Sequence, residues 1–127
     1  MSQMDLGNGH TPAEVWQEIK HFLARHPGVY RTRLQNKGMG ARFGAELTAD
    51  GHVQVTLQKG QHYKLPDNDF SALYPLYFRR EQGEVVTAEA QAVSRYRVYF
   101  WGLIYWCHIR REMPPAEGGV EALQAQR

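Results

Sequence analysis

From Thr11 to Arg25 apolar residues return every three or four positions: Val15, Trp16, Ile19, Phe22 and Leu23 form one stripe, and Glu14, Gln17, Glu18, Lys20 and Arg25 occupy the other face. That period predicts an amphipathic helix. Thr11, Pro12 and Glu14 have the spacing of a capping box with proline in the first turn, and His26, Pro27 and Gly28 stop the helix. From Val29 the period drops to two. Tyr30, Thr32 and Leu34 oppose Arg31 and Arg33; Phe43, Ala45 and Leu47 oppose Arg42 and Glu46; Val53, Val55 and Leu57 oppose His52, Gln54, Thr56 and Gln58. This alternation predicts an antiparallel meander, with glycine-bearing turns at NKGMG, TADGH and KGQ and a short fourth strand from His62 to Leu65.

Beyond the sheet the pattern is less regular. Asp67 or Asn68 is placed to cap a short turn containing Phe70, Leu73 and Tyr74, and Pro75 is expected to divide this stretch into two short turns. Thr87 then opens a segment of good helix formers, and one helix from there to about Arg111 is expected. Within it Val98 to Cys107, VYFWGLIYWC, is apolar nearly all round. Its β-branched and aromatic content also fits a strand from about Tyr96 to Ile109, with Gly102 as a bulge, and period alone does not separate the two.

The run is too short for a membrane, which requires roughly 20 apolar residues. Its all-round apolarity therefore calls for burial, either within one chain or against a second copy in a homodimer. The whole is read as an α+β domain over residues 11–113: an N-terminal helix, a three- to four-stranded antiparallel meander, and an aromatic-rich C-terminal helix packed on the sheet. Residues 1–10 and 114–127 are expected to be flexible ends.

Composition adds modest limits. The chain has 127 residues, 43% of them hydrophobic and 22% charged, which is ordinary for one globular domain. Its single cysteine, Cys107, excludes an internal disulfide and a four-cysteine zinc site, and suits a reducing cytoplasm. No secretory signal is expected from the polar opening MSQMDLGNGH. The net charge is only +2, but eleven arginines stand against four lysines, a bias toward forked contacts with phosphates and carboxylates.

Candidate chemistry is sparse. No phosphate loop, nucleophile elbow or HExxH is present, and neither a cofactor nor a metal is implied. Asp67 and Asp69 begin like a calcium loop, but Ala72 stands where that loop needs glycine and Phe78 where it needs glutamate. His52 and His62, on neighbouring strands, lack a third ligand. A non-catalytic binding protein is the leading expectation, working through a protein interface built from Tyr74, Tyr77, Arg79, Arg80, Trp101, Tyr105 and Trp106, since aromatics and arginine dominate such contacts.

The alternative is nucleic-acid binding on the polar sheet face, through Arg31, Arg33, Lys37, Arg42, Gln54, Gln58 and Lys64, whose cations neutralise phosphates and whose amides donate hydrogen bonds. A small-molecule pocket lined by tyrosines and tryptophans is a third reading. The order helix, three strands, helix is similar to that of the double-stranded-RNA-binding domain. The lysine cluster opening that family's second helix is replaced here by LPDNDFSALYP, so the resemblance is one of element order and assigns no family.

Overall fold

Helix α1, Pro12–Arg25, starts where the capping box places it: the Glu14 N–H donates to the Thr11 hydroxyl at 3.1 Å, and the Thr11 N–H donates to the Glu14 carboxylate at 2.8 Å. The structure, a computed structural model, describes residues 11–115; the expected flexible ends, 1–10 and the tail from 116 onward, lie outside the described residues. All five stripe residues of α1 are buried.

Four strands follow, β1 Gly28–Arg33, β2 Met39–Leu47, β3 Val53–Thr56 and β4 His62–Lys64, in the spatial order β1-β2-β3-β4 with every pair antiparallel. Each strand's period of two is seen in its burial. Tyr30, Phe43, Ala45, Val53 and Val55 point into the core, while Arg31 faces Arg42 across β1 and β2, and Glu46, Gln54 and Lys64 form a row across β2, β3 and β4. Gly51 and Gly60 take left-handed backbone angles in the two hairpin turns.

The first strand ends sooner than its alternation predicts. Between Arg31 and Arg33 the register shifts, so that three steps on β2 span two on β1, and Leu34 leaves the sheet exposed rather than continuing the inward row.

The middle segment is one helix, α2, Asp67–Glu81, and not two turns. Pro75 lies inside it on the solvent side; the hydrogen bond it forfeits is outweighed by burial of Phe70, Leu73, Leu76 and Tyr77 on the opposite side. Asp67 does not cap this helix. Its carboxylate accepts the Trp16 indole N–H at 2.8 Å and meets the Lys20 ammonium at 3.2 Å, tying α2 to α1.

The C-terminal segment is helical, which rejects the strand, but it is not continuous. Helix α3, Thr87–Val93, stops at Ser94, whose backbone is extended and whose hydroxyl accepts the Tyr96 N–H at 3.0 Å. Helix α4, Arg97–Leu103, then runs directly into a wider π-helical stretch, Ile104–Arg110. Gly102 is no bulge: a Cβ there would stand 2.6 Å from the Arg31 carbonyl oxygen and 3.2 Å from the Thr32 Cα, so glycine lets α4 lie directly on β1.

One chain encloses the aromatic run. Trp16 stacks on Phe70 at 4.7 Å and tilts against Phe100 at 5.4 Å; Phe43 meets Tyr99 edge-on at 5.1 Å. Phe100, Trp101, Leu103, Ile104, Trp106 and Cys107 are all buried without a second copy, so the apolarity of this run no longer argues for a homodimer. The Cys107 thiol is pushed up by burial, which keeps it protonated and unreactive. Among the described residues no helix is long and apolar enough to cross a membrane.

Candidate functional site

The residues read from the sequence as one aromatic and arginine interface are largely occupied within the fold. Tyr77, Trp101 and Trp106 are buried and present almost no surface. The Arg80 guanidinium lies 5.4 Å from the Trp101 ring, and burial works against its charge. Arg79 donates to Glu84 at 2.8 Å and, through both terminal nitrogens, to Glu89 at 2.9 Å. The Tyr74 hydroxyl is 3.1 Å from His108 Nε2, and the Tyr105 hydroxyl accepts from Arg110 at 3.3 Å. These contacts give each residue a place within the fold.

The polar sheet face is also divided. Arg33 leaves it altogether: at the end of β1 its guanidinium forks onto Glu81 at 3.0 and 3.2 Å, donates to the Lys37 carbonyl at 2.7 Å, and lies 3.9 Å over the Tyr105 ring. Burial opposes its charge, but the Glu81 hydrogen bonds and charge more than offset this and hold its pKa above the usual value. Lys37 sits in the exposed β1–β2 turn with a left-handed backbone, away from the face.

On the face proper, Gln54 donates to Glu46 at 3.2 Å, and Lys64 pairs with Asp50 at 3.1 Å. The Asp50 carboxyl is held well below its usual range by the Thr48 hydroxyl, Lys64 and His52. Arg31 donates from Nε to the Gly40 carbonyl at 3.0 Å. His52 and His62 do not meet, the first lying at Asp50 and the second at the Thr56 hydroxyl, and no group of three metal-ligating side chains occurs among the described residues.

What the fold adds is a groove of about 440 Å³ where the β3–β4 turn approaches the start of α4. Arg42, Gln58, Lys59 and Gln61 line it together with Val98 and Tyr99, and Thr32, Ala41 and Leu57 complete the wall. Tyr99 is brought to the cations by α4, although 57 positions separate it from Arg42 in the chain. Here two cations, two amides and an aromatic ring share one concave surface, and Lys59 makes no ion pair among the described residues. Such a set can hold phosphates with its cations, donate to or accept from base edges with its amides, and offer a ring for stacking.

Of the residues singled out in the sequence, Arg42 and Gln58 therefore share a site, and Arg31 lies beside Arg42. Gln61, Val98 and Tyr99 were not singled out. Their only sequence signal is an amide in a glycine turn and two apolar residues in a run that looked wholly internal. No family model, no curated protein and no solved structure matches this chain.

Proposed function

We propose that this protein binds single-stranded nucleic acid, without chemistry of its own, in the groove between the β3–β4 turn and α4. The observation that carries the reading is the convergence of Arg42, Lys59, Gln58 and Gln61 with Tyr99. Sequence-tolerant binding of a single strand combines a cationic track with rings on which bases stack, and the groove contains both. Binding alone suits the side chains better than turnover. The buried thiol and the buried phenols of Tyr30 and Tyr77 are all driven toward their protonated forms by desolvation, which leaves them poor nucleophiles.

The test is fluorescence anisotropy with short labelled single-stranded RNA and DNA, and a duplex of the same sequence, at about 50 and about 200 mM salt. The expected result is binding that favours the single strand, falls steeply with salt, and loses about tenfold or more in affinity in Tyr99→Ala. Absence of binding at the lower salt overturns the proposal.

A second reading, docking of a protein partner, has its own support at the other end of β1. The Gln35 amide donates to the Arg80 carbonyl at 3.1 Å and the Glu84 carbonyl at 3.4 Å, bringing the Leu34 loop beside the α2–α3 turn, where Val85 is 82% exposed. Leu34 and Val85, not the buried tryptophans, would form the apolar part of that surface. A partner captured by this surface, a second copy included, loses affinity in Val85→Glu and keeps it in Tyr99→Ala.

A further inference from the structure

A separate cleft of about 410 Å³ opens between α1 and the π-helical stretch, on residues the groove does not use. On α1, Glu18, His21, Phe22 and Arg25 follow the three- and four-residue spacing that puts side chains on one helix face. His26, just past the end of α1, lays its ring against Phe22 with centroids 4.6 Å apart. From the other wall comes Arg111, held in a left-handed backbone conformation directly after the π-helical turns. Phe22 and Cys107, both buried, form the floor.

The wall at Arg111 is fixed. The Tyr74 hydroxyl shares a hydrogen bond with His108 Nε2 at 3.1 Å. The other ring nitrogen, Nδ1, lies 3.4 Å from Glu18 Oε1. His108 is 6% exposed, and its carbonyl accepts from Arg111 Nε at 3.2 Å. Arg111 Nη2 stands 3.8 Å from Glu18, while Nη1 has no partner among the described residues. π-Helical turns are rare and concentrate at functional sites; this one aims a guanidinium from a rigid base into the cleft.

The opposite wall supplies further hydrogen-bonding groups. Neither Arg25 nor His21 makes a hydrogen bond or ion pair among the described residues, and both line the cleft. Two guanidinium groups and two imidazoles therefore surround a space with Glu18 as the one acid in its described lining. The carbonyl ends of two helices point toward this region and would oppose an anion. Three carbonyls in these last turns are engaged within the chain: Phe22 O by the His26 N–H, Trp106 O by the Glu112 N–H and His108 O by Arg111.

We infer that this cleft binds a small phosphomonoester, its phosphate forked between Arg25 and Arg111 and hydrogen-bonded by His21 and His26. Guanidinium pairs match the planar, bidentate geometry of a phosphate face, and the cleft is large enough for a phosphate with a short organic tail. The inference does not depend on nucleic-acid binding in the groove.

The test is titration of the full chain with inorganic phosphate, glycerol 3-phosphate and succinate, read from the ring resonances of His21 and His26 by NMR. The expected result is saturable shifts with phosphate and glycerol 3-phosphate, a dissociation constant raised about tenfold in Arg25→Gln and in Arg111→Gln, and no change in Arg42→Gln. Both substituted side chains are exposed, so the variants should fold, which their thermal midpoints check. No shift up to millimolar ligand overturns the inference, as does succinate binding as tightly as phosphate. Cations that served only the helix ends would lower the thermal midpoint on substitution and leave the titration unchanged, which also overturns it.

Discussion

Two corners of this protein bring an arginine from the sheet to a tyrosine from the C-terminal helices, and they differ in the acids around them. At the end of β1, Arg33 lies over Tyr105 and is forked by Glu81, while Arg79, two residues earlier on α2, is spent on Glu84 and Glu89. At the groove, Arg42 shares a concave surface with Tyr99, Lys59 and two glutamines, and no carboxylate belongs to the described lining. The first corner is neutralised by its own chain. The second sets its cations beside amides and a ring. One residue pairing thus stands among acids in one place and among amides in the other.

The comparison can be tested from its strongest element downward. Trp101 underlies the closed corner, touching Tyr77 and Arg80, and Trp101→Ala should cost about 3–5 kcal/mol in denaturant unfolding. A loss under about 1 kcal/mol would mean that the corner is not part of the cooperative core.

Arg33→Gln comes next. Its side chain is only 11% exposed, so removing it strands the Glu81 carboxylate, and a loss of about 3 kcal/mol is expected, part of it recovered by adding Glu81→Gln. Arg42→Gln should destabilise less than Arg33→Gln, yet lower the salt slope of oligonucleotide binding by about 1. Equal destabilisation by the Arg33 and Arg42 substitutions would erase the distinction between the corners.

The smallest effect concerns acid. Burial works against the Asp67 charge, but the Trp16 N–H and Lys20 outweigh it, so its pKa lies below the ordinary carboxylate value. A group depressed in this way adds stability above the unfolded pKa of about 4 and loses it as pH falls through the folded value. Asp67→Asn should flatten the stability curve on that acid limb, and an unchanged acid limb would remove Asp67 from the account.

Several features were legible because they are local. The capping box at Thr11 and Glu14, the stripe of α1 and the alternation of β2 and β3 are written in neighbouring residues, and backbone geometry turns those spacings into faces. The break at Ser94 was not legible, since a serine among helix formers ends a helix only when its hydroxyl takes a nearby N–H. Pro75 misled in the other direction: the burial that carries α2 through it comes from α1 and α4, which no local window contains.

The site was less legible than the fold. Arg31 and Arg33 share one parity on β1, yet the bulge and the approach of α2 leave one on the sheet face and place the other against Glu81, 48 positions away. Tyr99 joins Arg42 because Gly102 lets α4 lie on β1, a contact made by the absence of a side chain.

The sequence by itself determined the class of fold, the order of its elements and the inward residues of α1 and the central strands, because periodicity and capping act over a few residues. Only the tertiary structure decided which cations are spent inside the chain and which face a groove or cleft. That depends on the acid or ring that another element brings within a few ångströms, and charge, unlike periodicity, has no meaning until its neighbours are known.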